Sequence, residues 1–142
     1  MTDSTAHDDA SPTDGLSHLS ASSTPVPQEP LASTLESFPN QNPERDYWIR
    51  FDCPEFTSIC PITGQPDFGH ITIDYVADTR CVESKSLKLY MFAYRNHGAF
   101  HEAVVNQIAD DIITAVAPRQ LKVRGEFRPR GGIAIHVEVA HP

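Results

Sequence analysis

The stretch SICPITGQPDFGH, residues 58–70, places a thiol close to a carboxylate along a stiff piece of chain. Cys60 is followed at once by Pro61, then by Thr63, Gly64 and Pro66, and Asp67 stands seven positions on. A thiolate attacks an electrophilic carbon, and a nearby acid protonates the atom that gains charge as the bond forms. A nucleophile paired with an acid is therefore the first chemistry this spacing suggests. The plainer alternative is a turn in which Asp67 only caps backbone N–H groups.

Two further clusters carry polar chemistry. In RNHGAFHEA, residues 95–103, His97 and His101 lie four apart and Glu102 follows. With Cys60 they could supply sulfur and nitrogen ligands to zinc, but the chain has neither CxxC nor HExxH, and Gly98 interrupts the helix that would align the two histidines. Glu102 suits another task, since a carboxylate accepts two parallel N–H bonds from the edge of a guanine-like or pterin-like ring. In ESKSLKLY, residues 83–90, Lys85 and Lys88 are either a solvated helix face or, with N-terminal helix N–H groups, an anion site. Arg130 beside Gly131 and Gly132 could join such a site. No GxGxxG occurs, so a dinucleotide would not be held by a Rossmann unit.

The elements that must position these groups can be read from periodicity. DYWIRFD (46–52) has strand composition, and HITIDYVAD (70–78) alternates, with Ile71, Ile73 and Tyr75 on one face. Leu87, Tyr90, Met91 and Tyr94 form a helical stripe that Gly98 stops, and Val104, Val105, Ile108, Ile112 and Val116 form a second that Pro118 stops. QLKVRGEFRP and GIAIHVEVA again read as strands, joined by a turn at PRGG, residues 129–132. The order strand-strand-helix-helix-strand-strand predicts an α+β fold, an antiparallel four-stranded sheet with a helix pair on one face. Its two open edges would be a hazard unless paired, so a homo-oligomer with active sites at subunit interfaces is expected.

Composition narrows the class. Of 142 residues, the first 45 hold seven acids and one base, while residues 46–142 hold twelve acids and ten bases. The near-neutral second part argues against direct nucleic-acid binding, which needs a basic face. Residues 1–45, rich in Ser, Thr, Pro and acids, read as a disordered acidic tail ahead of a single domain at 46–142. They lack the basic start and apolar run of a targeting peptide, and no apolar run approaches membrane-spanning length. Three cysteines, Cys53, Cys60 and Cys81, without a secretory signal argue against a disulfide framework. A cytoplasmic protein with no membrane association is the expectation.

In this order and spacing, FTSICPITGQPDFG, ESKSLKLY, RNHGAFHE and PRGG resemble the short form of the NADPH-dependent 7-cyano-7-deazaguanine reductase family, over roughly residues 50–140. The resemblance implies the tunnelling fold, whose subunits join their sheets into barrels. It implies reduction of the nitrile of 7-cyano-7-deazaguanine to an aminomethyl group, a step toward queuosine in transfer RNA. Cys60 would be the nucleophile that forms a covalent thioimide, and Asp67 the proton donor. Val82, Glu83, Ser84, His101 and Glu102 fall at substrate-binding positions, and Ser84, Lys85, Arg130 and Gly131 at NADPH contacts; no metal is implied. His70 stands where the family commonly has a small residue and reads as an outward-facing strand residue. A zinc-dependent pterin or purine enzyme of the same fold, such as GTP cyclohydrolase, is the alternative.

Overall fold

A computed structural model describes residues 25–142. Eight elements follow in order: β1 (Ser37–Pro39), β2 (Trp48–Ile59), β3 (Pro66–Val76), β4 (Arg80–Val82), α1 (Ser84–Ala93), α2 (His101–Val116), β5 (Gln120–Phe127) and β6 (His136–His141). The expected α+β order is found in β2, β3, α1, α2, β5 and β6, while β1 and β4 were not expected and pair in a separate two-stranded sheet. β2, β3, β5 and β6 form one antiparallel sheet in that spatial order, leaving β2 and β6 at its edges.

The alternation read in 70–78 extends along all of β3. Asp67, Gly69, Ile71, Ile73 and Tyr75 are buried on the covered face, and Phe68, His70, Thr72 and Asp74 lie on the other. Leu121, Val123 and Phe127 of β5 continue the covered face, and the apolar stripe of α2 closes over it. The α2 helix ends where Ala117 turns to φ 42° and donates to the Ile113 carbonyl, with Pro118 beyond. On the open face His70 pairs with Asp52 and Arg50 with Asp74, so His70 is an outward polar residue as expected. Trp48, at the start of β2, is exposed.

A bulge in β2 matters for the site. Cys53 pairs with Ile71 but Phe56 pairs with Gly69, so β2 carries one extra residue. Two residues facing one re-aims the strand beyond the bulge. Phe56 and Ser58 then point into the covered face, where an unbroken alternation from Ile49, Phe51 and Cys53 would have sent them to the other side.

The folded unit begins upstream of residue 46. Leu35 joins the core, β1 pairs with β4, the Glu36 carbonyl accepts from Glu83 N–H, and Glu36 N–H donates to the Ser86 hydroxyl at 2.9 Å. Asn40 donates to the Asp78 carbonyl and accepts from the Tyr47 hydroxyl. The expected boundary is thus corrected for residues 31–45: a few apolar anchors and backbone pairing hold a segment whose polar composition reads as disordered. The expected disorder of 1–24 lies outside the described residues. Among the described residues no helix is long and apolar enough to cross a membrane.

Candidate active site

The prolines and glycine after Cys60 make a tight hairpin between β2 and β3. Cys60 N–H donates to the Gln65 carbonyl at 2.8 Å, and Gly64, at φ 71°, donates back to the Cys60 carbonyl at 3.0 Å. Thr63 lies inside this turn, and its hydroxyl accepts from Gln65 N–H. Thr63, by side chain and backbone, then the Ile62 amide, and least Arg130, draw the Cys60 thiol down to about 7. Burial instead pushes Cys53 up to about 11. Cys81 is a buried thiol packed in the core. A thiol ionised near neutral pH in a partly open setting is what a nucleophile needs.

Asp67 is opposite Ser58 in the register, one strand across from the thiol's turn, and is nearly buried. Its Oδ1 meets Arg130 Nη2 at 2.9 Å and His101 Nε2 at 3.4 Å. His101 opens α2, and its ring lies flat on Phe127, centroids 3.9 Å apart and planes 4° apart. Phe127 in turn lies across Gly69, where a Cβ would sit 2.9 Å from the ring. Cys60, Asp67, His101, Arg130 and Gly131 are therefore assembled at one end of the sheet. Ser58, Thr63 and Phe127 belong to this end too and were missed in the sequence. Thr63 lay in plain view, three residues after the cysteine, but nothing in spacing alone marks a β2 bulge that turns Ser58 inward. The Ser58 hydroxyl is buried and has no hydrogen-bond partner among the described residues.

Of the other expected residues, Glu102 follows His101 in α2, and Val82, Glu83, Ser84 and Lys85 lie elsewhere. Val82 N–H is fixed to the Tyr75 hydroxyl at 2.9 Å, near the far end of β3. From Asp67 to that end the strand rises on the order of 25 Å. Glu83 is the N-cap of α1, its carboxylate accepting from Lys85 and Ser86 N–H at 2.7 Å each, and these bonds hold the carboxyl below its ordinary range. The helix N-terminus expected to bind an external anion is thus already occupied by the chain's own carboxylate. Ser84 and Lys85 are exposed beside it. Glu102 sits exposed in the first turn of α2 and enters no ion pair among the described residues. His97 packs edge-on against Tyr94, and no three His, Cys, Asp or Glu side chains among the described residues converge as a metal site.

The antiparallel α+β domain thus brings an acidified thiol, a buried carboxylate and a stacked histidine to one end of its sheet. Comparison with known proteins shows the family. The model of the QueF-like protein family matches residues 66–142. An NADPH-dependent 7-cyano-7-deazaguanine reductase of Parabacteroides distasonis is 54% identical over 123 residues, 87% of this chain and 78% of the relative. That of Bacteroides thetaiotaomicron is 59% identical over 109 residues, 77% of this chain and 72% of the relative. That of Streptococcus thermophilus is 56% identical over 120 residues, 84% and 74%. The crystal structure of an apo archaeosine synthase QueF-Like superimposes with a TM-score of 0.61 at 20% identity, covering 66% of this chain and 91% of that one, a likeness of fold. The chain belongs to the NADPH-dependent 7-cyano-7-deazaguanine reductase family.

Proposed function

We propose that this chain reduces the nitrile of 7-cyano-7-deazaguanine to 7-aminomethyl-7-deazaguanine with NADPH, in the making of queuosine. The observation that carries the mechanism is the acidified Cys60 thiol in a rigid turn beside buried Asp67. The Cys60 sulfur adds to the nitrile carbon, one carbon–nitrogen π bond breaks, and Asp67 gives the nitrogen its proton, forming a thioimide. NADPH, when bound, supplies the two hydrides that take the carbon to an amine. Between them the carbon–sulfur bond breaks, Cys60 leaves as thiolate, and an imine remains. Cys60 is free again once the imine forms, and the second hydride, from a second NADPH, with one further proton completes the amine.

His101, held flat by Phe127, and Glu102 read the ring: the Glu102 carboxylate accepts N1–H and the exocyclic amine side by side. Lys85 and Arg130 fit the cofactor's phosphates by charge and exposure, and Gly131 presents open backbone, with nothing within 4 Å of where its Cβ would be. Val82, Glu83, Ser84 and Lys85 lie too far from Cys60 to serve the same site in one chain. A neighbouring copy of this chain supplies them, which supports a homo-oligomer with interfacial sites and sheets joined at the β2 and β6 edges. Free thiol and NADPH chemistry suit the cytoplasm, and a small-molecule substrate needs no nucleic-acid face.

Mass spectrometry of the protein with 7-cyano-7-deazaguanine and no NADPH tests this. An adduct of the substrate's full mass is expected on Cys60, since addition loses no atoms. Cys60→Ala should give neither adduct nor turnover, and Cys53→Ala both. Turnover by Cys60→Ala at a comparable rate would overturn the covalent route.

A further inference from the structure

We propose that Arg130 is a positioning residue for nitrile addition, a guanidinium that joins the Cys60 turn to Asp67 and holds nucleophile and acid in place before any ligand arrives. This is a task beyond a cofactor contact, and it rests on the roles proposed above for Cys60 and Asp67.

The geometry has three parts. Arg130 Nη2 lies 2.9 Å from Asp67 Oδ1. The same nitrogen is 3.4 Å from the carbonyls of Gln65 and Pro66. The Gln65 carbonyl is also the acceptor of Cys60 N–H, so one oxygen ties the thiol's own backbone to the guanidinium. All of these contacts converge on one terminal nitrogen, with the Asp67 carboxylate the nearest partner and the two carbonyls farther off.

The fold holds Arg130 firmly. Arg130 and Ile133 exchange two backbone hydrogen bonds of 3.0 Å around Gly131 and Gly132, whose φ values are 57° and 79°. Positive φ at both central residues is the tight hairpin turn that glycine favours. Arg128 N–H donates to the Phe68 carbonyl at 2.9 Å, which seats this segment against β3 next to Asp67. Asp67 is buried, and a buried carboxylate without partners is costly.

The charged and titratable groups facing the pair come from each neighbouring element. They are Arg130 from the turn before β6, His101 from α2 and Asp67 itself from β3. His97, whose carbonyl accepts Ile59 N–H, turns its ring to Tyr94 instead. Among the described residues that face the pair, Arg130 is thus the one permanent cation.

Alkylation of Cys60 by iodoacetamide, followed by peptide mass across pH, reads the effect with neither substrate nor cofactor. The wild-type rate should be half-maximal near pH 7. In Arg130→Gln the profile should move to higher pH, with alkylation about threefold slower near pH 6.5 and equal to wild type at about pH 10. Arg130→Lys, which keeps the charge, should lie between the two. Arg130 is about 39% exposed along its side chain, so both variants are expected to fold, which circular dichroism checks. Adduct formation from 7-cyano-7-deazaguanine without NADPH should slow about tenfold in Arg130→Gln and be partly rescued in Arg130→Lys. A glutamine variant whose alkylation profile superimposes on wild type overturns the proposal. So does one that forms adduct at the wild-type rate while only its NADPH dependence weakens. A wild-type protein that forms no nitrile adduct removes the chemistry proposed above, and the alkylation profiles still decide whether Arg130 acts on the thiol.

Discussion

Two thiols of one strand and its turn differ by about four in acidity, Cys60 near 7 and Cys53 near 11, because one meets donors and the other meets apolar walls. The sign of the pH dependence follows. The folded state lowers the Cys60 value, so its thiolate is gained as pH rises through about 7 and lost below it. Alkylation of Cys60, which needs no acid, should climb with pH and level off above roughly pH 8, measured by quenched mass analysis; a profile still rising at pH 9 would place the thiol outside these donors. Asp67→Asn keeps the shape but cannot donate a proton as an acid, so turnover should fall about 10²-fold or more and adduct formation should slow. Normal adduct rates in that variant would reduce Asp67 to a structural partner of Arg130 and His101. Cys60 and Asp67 stand out in the sequence because a stiff segment carries a thiol and a carboxylate close together. The cap formed by Glu83 was not legible: whether a carboxylate before a helix caps it or waits for a ligand depends on side-chain torsion, which spacing does not encode.

The elements position the site through contacts that leave no room for one more carbon. Phe127 on β5 lies across Gly69 on β3 and carries the His101 ring on its other side. Gly69→Ala would place a methyl 2.9 Å from the Phe127 ring, and the ring must move. The expected cost is about 1–3 kcal/mol of stability by denaturant unfolding, with weaker substrate binding because His101 loses its platform. Unchanged binding would show that His101 is placed by α2 alone. Strands and helices were read from periodicity with their order intact, since α2 and β3 alternate cleanly between apolar and polar positions. The bulge between Cys53 and Phe56 was not legible, because Pro54 and Glu55 look like an ordinary polar interruption, and with it went the inward turn of Ser58.

At the scale of the whole molecule, composition misjudged where the folded unit starts. Leu35 stands in the stretch LASTLESF, whose Leu31 and Phe38 stay exposed, yet it enters the core and its neighbours zip onto β4. Leu35→Ala should cost about 2–4 kcal/mol, read as a fall in the melting midpoint, whereas a mere tail would tolerate it within about 0.5 kcal/mol.

The separation of the Cys60 end from Val82 and Glu83 has a genetic consequence. If each site borrows one half from a neighbour, two dead chains can rescue each other. Cys60→Ala lacks the first half and a Glu83→Ala chain lacks the second, so each alone should be inactive. Unfolded or dissociated together and reassembled in equal amounts, they should recover about a quarter of wild-type activity, because random mixing pairs an intact first half with an intact second half in about one site in four. Activity that stays at the level of the separate variants, in mixtures shown by mass to contain both chains, would place the whole site within a single subunit.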